Sequence, residues 1–230
     1  MAMIIGGLSK LTLLDYPGHL AATVFFTGCE LRCPFCHNRP LVLPRGEPTL
    51  SRETVLDFLK SRRGKLDGVC LSGGEPTLQP GLPDLIRDIR ALGYLVKLDT
   101  NGSRPQVLRA MVEAGLLDYV AMDIKNAPDR YRETCGGVDI LPQVRESAAF
   151  LLGGAVPYEF RTTVCHPFHD PEAMAEIGRW LAGAERYFIQ PFVDSGDLVG
   201  RGAAAMTPAE LSALLEAVRP YIPAAALRGI

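Results

Sequence analysis

The sequence predicts an α/β fold built on a parallel sheet. Three observations carry that expectation. Six short apolar runs read as buried strands, each followed sooner or later by a segment whose apolar residues recur at helical spacing. Glycine, proline and capping residues punctuate these segments, stopping one element and opening the next. With 230 residues, 47% hydrophobic and 22% charged, the chain is able to bury a sizeable core. Strict alternation at this period calls for parallel strands joined by right-handed crossovers. It leaves two arrangements open, a doubly wound sheet and a curved partial barrel. Either one places binding residues at the carboxyl ends of the strands.

Residues 4–16 mix apolar residues with Gly6, Gly7 and Asp15 and close at the turn Tyr16-Pro-Gly18, which suits an edge strand or an extended lead-in. The first buried strand is 21–26, Ala-Ala-Thr-Val-Phe-Phe. It runs into a loop whose Gly28 and Pro34 forbid regular structure. Residues 40–48 hold three prolines and a glycine, too irregular for an element. Ser51 then reads as a helix N-cap with Glu53 in the first turn, and Val55, Leu56, Phe58 and Leu59 form the apolar face. A strand at 66–71 precedes a helix at 82–92 that Gly93 stops. A strand at 94–99 precedes a helix at 105–114, opened by Pro105 and ended at Gly115. Strand 118–124 leads to helix 139–152, strand 158–164 to helix 171–181, and strand 186–190 to a helix capped by Thr207 that runs through Val218. No repeat, low-complexity tract or linker divides the chain, so a single domain over 1–230 is expected.

Formal net charge is −2 and no Lys/Arg block exceeds two residues. Neither nucleic acid nor an anionic membrane surface is favoured as a partner. The first residues lack the cationic start and apolar core of a signal peptide, and no apolar run approaches a membrane span. A cytoplasmic location with reduced thiols is expected, so six cysteines do not call for three disulfides.

Chemistry concentrates in Thr27-Gly-Cys-Glu-Leu-Arg-Cys-Pro-Phe-Cys-His-Asn38, just past the first buried strand. Cys29, Cys33 and Cys36 fall within eight residues and are able to converge without closing a long loop. Thiolates bind soft metals, with zinc and iron–sulfur clusters the leading candidates. Closed zinc sites and ordinary cubane clusters take four protein ligands, whereas the local count here is three. A [4Fe–4S] cluster held by three cysteines leaves one iron open to a small molecule. A structural zinc knuckle, or a redox pair with a spare thiol, are the other readings of the spacing.

C-x3-C-x2-C with aromatic Phe35 before the last cysteine resembles the signature of the radical S-adenosylmethionine enzymes. That resemblance implies a six-stranded parallel partial (β/α)6 barrel, a [4Fe–4S] cluster on Cys29, Cys33 and Cys36, and S-adenosylmethionine chelated to the open iron. Phe35 matches the aromatic position beside the adenine, and His37 and Asn38 trail the signature. Ser72-Gly-Gly-Glu-Pro-Thr77 resembles the family's GGE motif, so Gly73, Gly74 and Glu75 are expected to shape the methionine subsite, with Glu75 facing the ligand. Asp99-Thr-Asn-Gly102 ends the next strand, and Asp99 and Asn101 are expected in the pocket wall; a turn and helix cap is the plainer reading.

Asp123 and Lys125 share a strand face by the two-residue period. They match the Asp-x-Lys motif of glycyl-radical-activating enzymes, where acidic residues of these two strand ends line a cation-containing ligand site and the lysine reaches the ligand. Arg161 is a candidate for the methionine carboxylate. His166 and His169 read as polar loop residues. Val193 stands where some activating enzymes carry a cofactor-contacting histidine, with Gln190 as a substitute. Cys70 reads as a small core residue, and Cys135 and Cys165 as scattered thiols without a partner at metal spacing. Within the superfamily the chain most resembles the activating proteins of anaerobic ribonucleoside-triphosphate reductase, which implies a glycyl radical enzyme as partner and a flavodoxin- or ferredoxin-like electron donor. A small-molecule radical enzyme, and a non-catalytic zinc or iron–sulfur interaction module, are the alternatives. Few residues cover the rim, and the glycine-bearing segment 194–206 is expected to move aside.

Overall fold

A computed structural model describes residues 3–44, 46 and 49–229. The start of the chain and part of the proline stretch (Met1, Ala2, Arg45, Glu47 and Pro48), together with Ile230, lie outside the described residues. The strands are β1 (Ile5–Thr12), β2 (Ala21–Phe26), β3 (Gly68–Gly73), β4 (Leu95–Thr100), β5 (Tyr119–Asp123), β6 (Tyr158–Val164), β7 (Tyr187–Pro191) and β8 (Ala226–Leu227). The helices are α1 (Arg39–Val42), α2 (Arg52–Ser61), α3 (Leu82–Ala91), α4 (Pro105–Glu113), α5 (Tyr131–Thr134), α6 (Leu141–Leu152), α7 (Pro171–Trp180) and α8 (Pro208–Val218).

All eight strands form one sheet in the order β1-β2-β3-β4-β5-β6-β7-β8. β2 to β7 are mutually parallel, and β1 runs antiparallel on the free edge of β2. A doubly wound sheet reverses its strand order at a switch point. This one never reverses, so each crossover adds the next strand on the same side. β1 and β8 are not neighbours in that order, which makes the sheet an unclosed barrel. The partial barrel expected from the cysteine signature is therefore the observed fold.

The period of two along each strand separates two chemistries. Ala22, Val24, Phe26, Val69, Leu71, Val96, Leu98, Val120, Met122, Phe160 and Ile189 point to the helices and join the main apolar core. The alternate positions carry Thr23, Cys70, Lys97, Asp99, Asp123, Glu159, Arg161 and Gln190, so the inner face is polar. At its amino-terminal end Glu159, 1% exposed at its side chain, receives both arms of Arg228 at 2.6 and 2.8 Å and the Tyr119 hydroxyl at 3.0 Å. Arg228 also stacks on Phe188, 3.5 Å from the ring centroid.

Element boundaries depart from the sequence reading where local chemistry intervenes. The helix expected from 139 begins at Leu141, with Pro142 in its first turn. Residues 40–42, the start of the stretch 40–48 read as irregular, fall in the single turn α1 (Arg39–Val42), with Pro40 at its start. Helix α5 and strand β8 were not expected. Thr207 caps α8 reciprocally with Glu210, a complete capping box.

Candidate active site

The cysteine loop leaves β2 and is bonded to the loop after β3. Gly74 N–H donates to Phe26 O at 2.9 Å and Glu75 N–H to Gly28 O at 2.8 Å. A Cβ on Gly74 would lie 2.1 Å from the Gly28 carbonyl oxygen, and Gly73 sits at φ +115°, so only glycine lets the loops meet this closely. Asn38 Nδ2 donates to Gly73 O at 3.3 Å, and Gln79 Nε2 to Thr27 O at 2.8 Å.

Between these loops and the ends of β4 to β7 lies a cavity of about 290 Å³. Every candidate site residue singled out above lines it: Cys29, Cys33, Cys36, Phe35, His37, Asn38, Gly73, Gly74, Glu75, Asp99, Asn101, Asp123, Lys125 and Arg161. The three thiols and the charged groups of the strand ends share this lining, with the Lys125 ammonium near enough to act on the thiols. Cys29 accepts from Leu31 N–H at 3.4 Å and from Asn101 Nδ2 at 3.9 Å, and burial pushes its thiol up to about 12. Burial also raises Cys36. Cys135, read as a thiol without a partner, is buried against the loop. Interaction between the two thiols lowers Cys33 and raises Cys135. The helical turn α5 brings it there, and Arg32 N–H donates to Cys135 O at 3.2 Å.

Glu75 departs from expectation. Its carboxylate is wholly buried and accepts from Thr77 N–H (3.0 Å), Thr77 Oγ1 (2.5 Å), Thr100 Oγ1 (2.8 Å) and Asn101 N–H (2.7 Å). It ties the β4 end to the β3 end instead of facing a ligand. Desolvation outweighs these donors and raises it to about 7.

Asp99 and Asp123 stand at the ends of adjacent strands with Arg161 between them. Arg161 Nε lies 2.9 Å from Asp123 Oδ1, and Arg161 Nη2 lies 3.4 Å from Asp99 Oδ2. Lys125 Nζ lies 3.0 Å from Asp123 Oδ2, Ser72 Oγ donates to Asp99 Oδ2 at 3.0 Å, and the buried Lys97 ammonium contacts Asp99 Oδ1. Burial opposes ionisation of both carboxylates, but Arg161 and the flanking lysines hold them below the ordinary carboxylate range. Lys97 escaped the sequence reading, although it shares the two-residue period of Asp99 within an otherwise apolar run. Asp15, Ser72, Thr163 and Gln190 also line the cavity, and the same polar period on the inner face marks the last three.

Phe35 is 4% exposed and packs on Phe168 and the edge of His169, at centroid distances of 5.6 and 5.9 Å. His169 is buried with Nε2 2.9 Å from Lys125 O, while His166 pairs with Glu210 on the surface. Neither histidine reaches the cavity wall. Val193 is 70% exposed and outside it. The glycine-bearing segment 194–206 lies against the cysteine loop: Val199 N–H donates to Cys36 O at 3.1 Å, Gly200 N–H donates to Pro34 O at 2.9 Å, and Gly200 abuts Pro34. Cys70 faces the polar inside of the barrel, 3.8 Å from Lys97 Nζ, and not the apolar core.

Residues 23–181, more than half of the chain, match the Radical SAM superfamily. The chain belongs to the radical SAM superfamily. Its members bind a [4Fe–4S] cluster and S-adenosylmethionine, and three soft thiol donors sharing one cavity with charged strand-end groups suit that pair. Among relatives, a Methanocaldococcus jannaschii protein is 33% identical over 199 residues, 84% of this chain and 81% of that one; its name, glycyl-radical enzyme activating enzyme, is itself an unproven assignment. The pyruvate formate-lyase-activating enzyme of Clostridium pasteurianum is 33% identical over 134 residues, 54% of this chain and 53% of that protein. PqqA peptide cyclase of Streptomyces rochei is 31% identical over 83% of this chain. The radical SAM chain thus spans about half the length of these two relatives.

Solved structures share the fold. Streptococcus suis SuiB bound to S-adenosylmethionine superposes with a TM-score of 0.70 at 15% identity, over 87% of this chain and 48% of SuiB. A domain of pyruvate-formate lyase-activating enzyme from Bacteroides vulgatus gives 0.58 at 17% identity, over 71% and 99%. Among the described residues no helix of this radical SAM protein is long and apolar enough to cross a membrane.

Proposed function

We propose that this radical SAM protein is an activating enzyme: it cleaves S-adenosylmethionine reductively and generates a glycyl radical on a partner enzyme, anaerobic ribonucleoside-triphosphate reductase being the partner of choice. One observation carries the reading: three cysteines and two charged strand ends line the same cavity. A [4Fe–4S] cluster held by Cys29, Cys33 and Cys36 and reduced by a flavodoxin- or ferredoxin-like donor would supply the electron for cleavage of S-adenosylmethionine to methionine and a 5′-deoxyadenosyl radical.

The residues of the chain do the rest. Cys29, Cys33 and Cys36 hold the cluster. The backbone of Gly73 and Gly74 and the Arg161–Asp123–Lys125 group hold the amino acid end of the ligand. Asn101 and Asn38 fix the two loops against each other, and Phe35 walls the adenine side. Similarity to the Methanocaldococcus jannaschii and Clostridium pasteurianum proteins supports the activating role over the other chemistries of the family.

Reduced protein, S-adenosylmethionine and the reductase are mixed anaerobically. A glycyl radical doublet on the partner by electron paramagnetic resonance, with deoxyadenosine formed in step, is the expected result. Deoxyadenosine that forms only with a small metabolite would move the protein to the small-molecule class. Cys29→Ala, Cys33→Ala and Cys36→Ala each lose most iron, whereas Cys165→Ala keeps it. Stoichiometric zinc without sulfide in anaerobically isolated protein overturns the cluster assignment.

A further inference from the structure

The ion-paired group at the strand ends carries more cations than carboxylates. Lys97, Arg161 and Lys125 face Asp99 and Asp123, which leaves the bonded group at +1 (three minus two). All four carboxylate oxygens are taken. Asp99 Oδ1 accepts from Lys97, Asp99 Oδ2 from Ser72 and Arg161, Asp123 Oδ1 from Arg161 and Asp123 Oδ2 from Lys125. Asp15, which also lines the cavity, accepts from Thr23 at Oδ2 and is bonded to neither aspartate of this pair.

An inorganic cation between the two aspartates needs oxygens free to replace its water. Here the guanidinium of Arg161 occupies that place, and the pair does not fit the cation that the Asp-x-Lys resemblance implies. We propose that Lys97 and Arg161 stand in for that cation, so the strand ends bind the carboxylate of the ligand with the chain's own fixed charges. Lys97 is 1% exposed and lies outside the cavity lining, so it touches no ligand. It is a positioning residue that holds Asp99 ionised and turned toward Arg161. A buried ammonium interacts strongly because little water screens it, and its removal leaves a buried carboxylate short of a partner. The inference rests on the reading of this wall as the S-adenosylmethionine subsite.

The test is equilibrium binding of S-adenosylmethionine to reconstituted, cluster-loaded protein in potassium, sodium or choline chloride at matched ionic strength. Wild type is expected to bind equally in all three, within about twofold. Lys97→Ala is expected to bind about tenfold more weakly in choline chloride and to recover in potassium or sodium chloride, where a small cation enters the vacated space. Lys97→Met, which fills that space, is expected to weaken in every salt. A wild-type affinity that drops about tenfold without alkali cations overturns the inference, and so does a Lys97→Ala protein indifferent to the salt. A second readout needs no ligand: the melting temperature of metal-free wild type is the same in potassium and choline chloride, and a rise of several degrees in potassium overturns the inference. Loaded wild type that binds no S-adenosylmethionine in any salt overturns the subsite reading, and the inference with it.

Discussion

Glu75 is a carboxylate without water. The folded protein keeps its proton up to about pH 7, whereas an unfolded chain releases it near 4.5. Because the folded value is the higher one, the stability this group contributes is complete below the unfolded value and is lost as pH rises through about 7. The loss is on the order of 3 kcal/mol at most. Wild-type melting temperature is therefore expected to fall between pH 5 and 8, and Glu75→Gln to lie lower at pH 6 with a flat profile; an unchanged slope in the variant contradicts the assignment. The motif identified Glu75 from sequence, but its role was not legible there. Its four donors come from Thr77, Thr100 and Asn101, and the last two meet it only when β3 and β4 pair. Lys97 was missed for a related reason. A lysine inside an apolar run reads as noise until the strand's inner face is known to be polar.

At the scale of elements, the loops after β2 and β3 act as one unit because Gly74 allows backbone to touch backbone. Gly74→Ala is expected to force them apart, with a loss of about 2–3 kcal/mol in urea unfolding and fewer iron atoms retained per chain. Iron content equal to wild type would separate the loop contact from cluster binding. Gly200→Ala meets Pro34 in the same way from the opposite side, at 2.6 Å from its Cα, and is expected to lower iron content more than stability. Helices with local signals were the legible elements: Ser51, Asp170 and Thr207 each cap a helix through their own side chains. β8 was illegible because two residues, Ala226 and Leu227, carry no period at all. Its place comes from Arg228 reaching Glu159, a contact across 69 residues.

For the whole molecule, the polar inner face is sealed at its amino-terminal end by that pair and stays open at the cysteine end. Arg228→Ala strips the partner from a buried carboxylate and is expected to lower stability by about 3 kcal/mol, while S-adenosylmethionine affinity, read at the far end of the barrel, stays within about twofold of wild type. The strand order adds a kinetic consequence. Every strand pairs with its neighbour in the chain, so each pairing closes a loop of at most two helices, and the sheet is able to grow a strand at a time. Glu159 is laid down with the sixth strand and waits for an arginine that arrives only with the eighth. On that order the seal is expected to form last in assembly and to fail first. Removing Arg228 is expected to speed unfolding and to leave the refolding rate nearly unchanged, so that the two arms of a stopped-flow chevron read the order in which the barrel is built.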